Sequence, residues 1–208
     1  MGSIFSKIPT SRLEGLTDGI FAVAMTILVL SIEAPSPENI GITDVNTYII
    51  SLIPKISMYF ISFILLGCFW LTHHSFFLIE KIDQTLVWTS ILWLMTICLI
   101  PFSVSLVANF GTSMYAELFF GINIFFIGLL YFINIYYAYK KDFFKKNLDF
   151  NINIFLWFPI SIIILSIIDI VISIIDPSFT NLFYLLIPAF LIMLSNSVPK
   201  IKFFKDND

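Results

Sequence analysis

A few polar side chains are set inside long apolar stretches. Within a membrane such residues cost enough to be functional candidates by default. The first group is Arg12, Thr17 and Asp18 in RLEGLTDG. The second is Trp70, Thr72, His73 and His74 in FWLTHHSFF, and the third is Asp169, alone in SIIDIVIS. Hydroxyl, carboxylate, indole and imidazole groups can build a hydrogen-bonded network or pass protons. Each group also has a structural reading. Thr17 or Asp18 would serve as the N-cap of a following helix. Asp169 reads either as a proton-relay carboxylate or as a neutral acid hydrogen-bonded to a neighbouring helix. Adjacent histidines on a helix point about 100° apart, so at most one of the pair faces the helix bundle. They could ligate a metal, but no carboxylate or cysteine cluster accompanies them, so neither a metal nor a cofactor is expected.

Several chemistries lack their residues. The sequence has no Gly-rich phosphate loop, no HExxH, no Ser-His-Asp set at a common depth, no TVGYG-like filter and no Arg-rich voltage sensor. No enzyme activity is expected, and nucleic acid would find no basic surface.

The elements that must position these residues follow from composition. The chain of 208 residues is 59% hydrophobic and 12% charged, with 24 Phe. A soluble domain carries about a quarter charged residues, so this is an integral membrane protein of the cell membrane. Cys68 and Cys98 both sit in apolar runs and read as small hydrophobes without a disulfide. MGSIFS fits a loose myristoylation pattern, but a polytopic protein gains little from one acyl chain. The first apolar run is too long for a cleavable signal, and its exit at Pro35 does not resemble a cleavage site.

Six apolar runs are visible: Leu16 to Ile32, Tyr48 to Phe77, Leu86 to Asn109, Tyr115 to Tyr139, Ile152 to Ile175 and Phe179 to Val198. Alternating strands are absent, so helices are the spanning elements. The long second run predicts tilt or an interfacial first turn near Pro54 and Lys55; Pro101 and Pro159 predict bends. Lys7 and Arg12, then Lys81, then Lys140, Lys141, Lys145 and Lys146, then Lys200, Lys202 and Lys205 all fall on one side, leaving only Lys55 on the other. By the positive-inside rule both termini are cytoplasmic. Glu38, Asp44, Glu117 and Asp176 then lie in short acidic outer loops. The expected fold is all-α, one domain over residues 1–208 with six transmembrane helices.

The stretch from Arg12 to Pro35 differs from the other runs in its small and medium side chains. On a helix, Gly19, Val23, Thr26, Ile27, Leu30 and Ala34 share one face, while Asp18, Ala22, Met25 and Val29 lie on another. One helix thus presents two interior surfaces. The chain holds one copy of this element, so helices of this kind can surround an axis only if several chains supply them.

The residues from Arg12 to Leu30, R-x-x-x-L-T-D-G-I-F-A-V-A-M-T-I-L-V-L, resemble the first helix of TMEM175-type channels, whose signature is R-x-x-x-F-S-D. The second-helix pattern W-x-x-H-H-x-x-F is present as Trp70, His73, His74 and Phe77, and the third-helix PF pair as Pro101 and Phe102. Helices one to three carry the likeness; four to six match in count and length. Leu16 stands where the family has Phe, Thr17 where it has Ser, and Thr89 where it has Asn. The resemblance implies a homotetrameric potassium-permeable channel with no cofactor. Its partners are other copies of itself, the lipid bilayer and monovalent cations. Helix one lines the pore with Val23, Ile27 and Leu30, Thr26 lies beside them, and Val23 forms the narrowest ring. Arg12, Thr17, Asp18, Trp70, His73 and His74 form an intracellular polar network. Selectivity for K+ over Na+ is then modest. Two rival readings are a proton-coupled transporter or proton-conducting channel using Asp169 and the His73/His74 pair, and a membrane scaffold without transport.

Overall fold

The computed structural model describes residues 9–32, 45–73, 79–111, 113–144 and 152–176. Among these it is helical: α1 Thr10–Ile27, α2 Val45–Ser51, α3 Ile53–His73, α4 Gln84–Cys98, α5 Ile100–Phe110, α6 Met114–Lys140 and α7 Ile152–Ile175. Five helical stretches are long and apolar enough to cross a membrane: Thr10–Ser31, Asn46–His73, Gln84–Phe110, Met114–Lys140 and Phe155–Ile175. The apolar run from Phe179 to Val198 lies outside the described residues.

The start of α1 corrects the sequence reading. Thr17 and Asp18 are not its cap, because the helix begins at Thr10 with Pro9 in an extended conformation at the N-cap position. The reason is periodicity. Leu13, Thr17, Phe21, Ala24 and Leu28 form one buried stripe at helical spacing, which extends the apolar face a full turn before Thr17. The last turn tightens into a 3₁₀ segment at Leu28–Ser31, after which Ile32 is extended.

Proline breaks the second and third runs where the missing N–H falls. Leu52 separates α2 from α3 two residues before Pro54. The whole stretch Asn46–His73 has 28 residues, about 42 Å of helix against about 30 Å of hydrocarbon. Leu99 separates α4 from α5, two residues before Pro101. Pro159 lies inside α7, which runs on through it.

The core is shared by all the spans, with α6 at its middle, packed against α4, α5 and most extensively α7. The α6–α7 contact is close because Gly121 and Gly128 face α7. A Cβ at Gly121 would come within 2.8 Å of the Asp169 carboxylate and 2.9 Å of Ile170; one at Gly128 would come within 2.9 Å of Ile162. Small residues at such a seam let membrane helices approach closely. Glu117, read from the sequence as an outer-loop residue, is instead in the first turn of α6 and completely buried. That turn starts at Met114 and already faces the bundle.

Candidate functional site

Helix α1 has one face in the core and one outside it. Val23, Ile27 and Leu30 are 56%, 44% and 73% exposed, and Thr26 is exposed beside them, its hydroxyl donating to the Val23 carbonyl at 2.8 Å. This face borders a groove of about 680 Å³, walled by Gly15, Gly19, Val23 and Ile27 of α1 and by Cys98 and Phe102 at the α4–α5 break. A Cβ at Gly15 or Gly19 would meet nothing within 4 Å. Cys68 and Cys98 are free thiols.

The polar residues gather at the end of the bundle where α1 starts and α3 ends. Trp70 Nε1 donates to Asp18 Oδ1 at 2.9 Å. Asp18 is thus tied to α3 through the indole of Trp70. His73, one turn further along α3, is turned inward to stack on Trp93, ring centroids 5.1 Å apart and planes 17° from parallel. Thr17 is completely buried and donates to the Leu13 carbonyl at 2.9 Å; its hydroxyl is satisfied within its own helix. Arg12 is exposed, and among the described residues it makes no ion pair with Asp18. His74 lies outside the described residues. Thr72 connects differently again, its carbonyl accepting from the Tyr131 hydroxyl at 2.7 Å.

Trp93 is the hub that the sequence did not single out. Its ring meets Phe21 of α1 at 5.7 Å, His73 of α3 and Tyr131 of α6 at 5.3 Å. Nothing in the spacing of LWLM marks it. Asn134 was more detectable, being an amide inside an apolar run. It is completely buried, and its Oδ1 accepts from the Thr89 hydroxyl at 2.5 Å, tying α4 to α6.

Asp169 is completely buried in α7, its carboxylate against Gly121. It is far from His73. The Tyr131 hydroxyl reaches the carbonyl next to His73, and Gly121 lies ten residues before Tyr131 on α6, about 15 Å along the axis. Asp169 and His73 are therefore not brought together. Among the described residues no group of three or more His, Cys, Asp or Glu is placed to hold a metal ion.

This fold defines a multi-pass protein of the cell membrane. Residues 12–101 match the family described as "Endosomal/lysosomal potassium channel TMEM175". The match ends at Pro101, inside the third run, beside the Pro101–Phe102 pair that closes the residue-level likeness. A potassium channel of Chamaesiphon minutus is 31% identical over 126 residues, 56% of this chain and 62% of the relative. One of Streptomyces collinus is 28% identical over 102 residues, 49% of this chain and 48% of the relative. The endosomal/lysosomal proton channel TMEM175 of Gallus gallus is 30% identical over 114 residues, 51% of this chain and 23% of the relative. The chain thus spans less than two thirds of the curated relatives it matches. The crystal structure of a lysosomal potassium-selective channel TMEM175 homolog from Chamaesiphon minutus shares the fold over 89% of this chain and 97% of that one. Its TM-score is 0.77 at 21% identity.

Proposed function

We propose that the chain is the subunit of a homotetrameric cation channel, passing K+ somewhat better than Na+, with six spans per subunit and both termini in the cytoplasm. Four copies of α1 would line the pore. The observation that carries this reading is the composition of the uncovered face of α1. Elsewhere, faces turned away from the core carry large side chains: Trp88, Phe102, Phe110, Tyr115 and Phe119 are all exposed. On α1 the outer face mixes Gly15, Gly19, Ala22, Val23 and Thr26 with Leu16, Ile27 and Leu30, and it carries no aromatic side chain. Lipid tails place no premium on small residues, whereas close packing of helices around a narrow axis does. The potassium-channel relatives point the same way.

In this assembly Val23 forms the narrowest ring, with Ile27 and Leu30 above it and Thr26 beside it. An apolar ring closes by dewetting, and it conducts only when wide enough for ions to keep part of their water. Selectivity by such a ring is modest. Arg12, Thr17, Asp18, Trp70, His73 and His74 hold the lower end of α1 in place, the Trp70–Asp18 bond being its direct tie to α3.

The test is reversal potential across a bilayer holding purified protein, with K+ on one side and Na+ on the other. A shift toward the K+ potential supports the reading; absence of current refutes it. A second reading, proton conduction or proton-coupled transport involving Asp169, is favoured by the complete burial of that carboxyl within a span and by animal relatives described as proton channels. Flux that appears only under a pH gradient and is lost in Asp169→Asn would select it.

A further inference from the structure

Residues 79–83, just before α4, are fastened on two sides. On the outer side, Glu80 N donates to the Phe143 carbonyl at 2.8 Å and Lys81 N reaches the same oxygen at 3.4 Å. Ile79 pairs with Phe144 in an isolated antiparallel bridge. The turn that presents Phe143 is itself fixed: Asp142 adopts φ 52°, and Phe143 N donates back to the Ala138 carbonyl at 3.0 Å. One residue before α4, the Asp83 carboxylate caps that helix through Leu86 N at 2.9 Å and accepts from the Tyr137 hydroxyl at 2.6 Å. The Tyr137 ring also meets Phe143 edge-on and lies under the Lys141 ammonium.

On its inner side the same segment bears on the foot of α1. Ile79 is 3% exposed. Together with Ile82 and His73 it closes against Thr10, Leu13 and Glu14, leaving a void of only about 10 Å³. That is the least that one water needs, so the contact is filled by side chains.

We propose that residues 79–83 are a latch, held shut by the end of α6, that sets the position of the first two turns of α1. Ile79 and Ile82 occupy the side toward which those turns would move, so such movement requires the two side chains to retreat. Ile79 and Ile82 can retreat only if the bonds to Phe143 and Tyr137 open. Packed elements of this kind switch between discrete arrangements rather than deforming smoothly. The C-terminal turn of α6 thereby controls the start of α1. Whether the latch changes conduction rests on the channel reading above; whether it holds α1 does not.

The experiment is amide hydrogen exchange on the full chain in lipid nanodiscs, comparing wild type with Tyr137→Phe. This variant removes one hydroxyl and keeps the ring; Tyr136→Phe, at an exposed neighbour, is the control. Loss of a net hydrogen bond of this kind corresponds to about a fivefold rise in local opening. The expected result is exchange about fivefold faster both at residues 79–83 and at residues 10–18, with the control unchanged. Faster exchange at 79–83 alone, or at neither segment, overturns the latch. If Tyr137→Phe does not fold, Ile79→Cys/Phe144→Cys in a Cys98→Ser background takes its place. Oxidation should slow exchange at residues 10–18 and reduction should restore it; no difference between the two forms overturns the proposal. In bilayers Tyr137→Phe should alter open probability at an unchanged reversal potential. Silence of the wild type as well would count against the channel reading alone and leave the exchange result to decide the latch.

Discussion

Trp70 Nε1 donates to Asp18 Oδ1 at 2.9 Å and so joins α3 to α1 across 52 positions of sequence. The bond runs from an indole to a carboxylate at an exposed site. It is charge-assisted, and partly weakened by water. Trp70→Phe keeps an aromatic side chain but loses the donor and some packing area, so it should destabilise the subunit by at least about 1 kcal/mol. Thermal unfolding in detergent reads this directly. In the tetramer reading Asp18→Ala should impair assembly more than ion preference, and normal tetramers from that variant on size-exclusion chromatography would count against the role given to the network.

The glycines separate contacts within a subunit from contacts between copies. Gly121→Ala would drive a methyl to 2.8 Å from Asp169 and 2.9 Å from Ile170. Overpacking at this seam should cost about 1–3 kcal/mol, with Gly128→Ala, against Ile162, similar. Gly19→Ala meets nothing within 4 Å, so in an isolated subunit it should be neutral or stabilise α1 by up to ~1 kcal/mol. If four copies of α1 converge, the same change should lower the tetramer fraction. Unchanged assembly in Gly19→Ala would mean that this face does not approach another copy.

Much of this architecture was legible in the apolar runs, because run length and proline position are direct consequences of bilayer thickness and of the missing N–H. The breaks before Pro54 and Pro101 fall where those residues remove a donor. The site was less legible. Thr17 and Asp18 resembled a cap because local composition changes there, yet Leu13 carries the apolar stripe one turn further back. The partner of Asp18 depended on which side chain of α3 points at α1, and a depth argument cannot distinguish Trp70 from His73. A charge near a run's edge reads as solvated, which places Glu117 in a loop, whereas in the fold it lies buried in the first turn of α6. Trp93 collects its neighbours from three other helices, a property that no local pattern encodes.

The Thr89–Asn134 pair ties α4 to α6 at 2.5 Å. The short Thr89 side chain spans the gap from its own helix to the Asn134 amide oxygen. Thr89→Val removes the hydroxyl and leaves the fully buried Asn134 amide without that donor, which should cost about 1–3 kcal/mol. Thr89→Val together with Asn134→Leu removes both polar groups and should recover most of the loss. A double-mutant cycle on thermal stability checks this, and strictly additive costs would show that the pair does not interact.

Val23 is the position on which the pore assignment turns. It is more than half exposed in the subunit, 56%, so truncating it opens no cavity in the core and should leave thermal stability within about 0.5 kcal/mol of wild type. In a ring of four, however, each Val23→Ala removes two methyl groups from the constriction. A wider apolar ring wets more easily and lets ions retain more of their hydration. Current should therefore rise and the K+/Na+ reversal potential should move toward zero. Val23→Leu should act in the opposite sense, narrowing the ring and reducing current. Phe102→Ala supplies the comparison, because Phe102 is exposed to a similar degree, 54%, but borders the groove from α5. If Val23→Ala and Val23→Leu both leave current and reversal potential unchanged in intact tetramers, α1 does not form the constriction. If Phe102→Ala shifts selectivity more than Val23→Ala does, the conducting path runs beside α5.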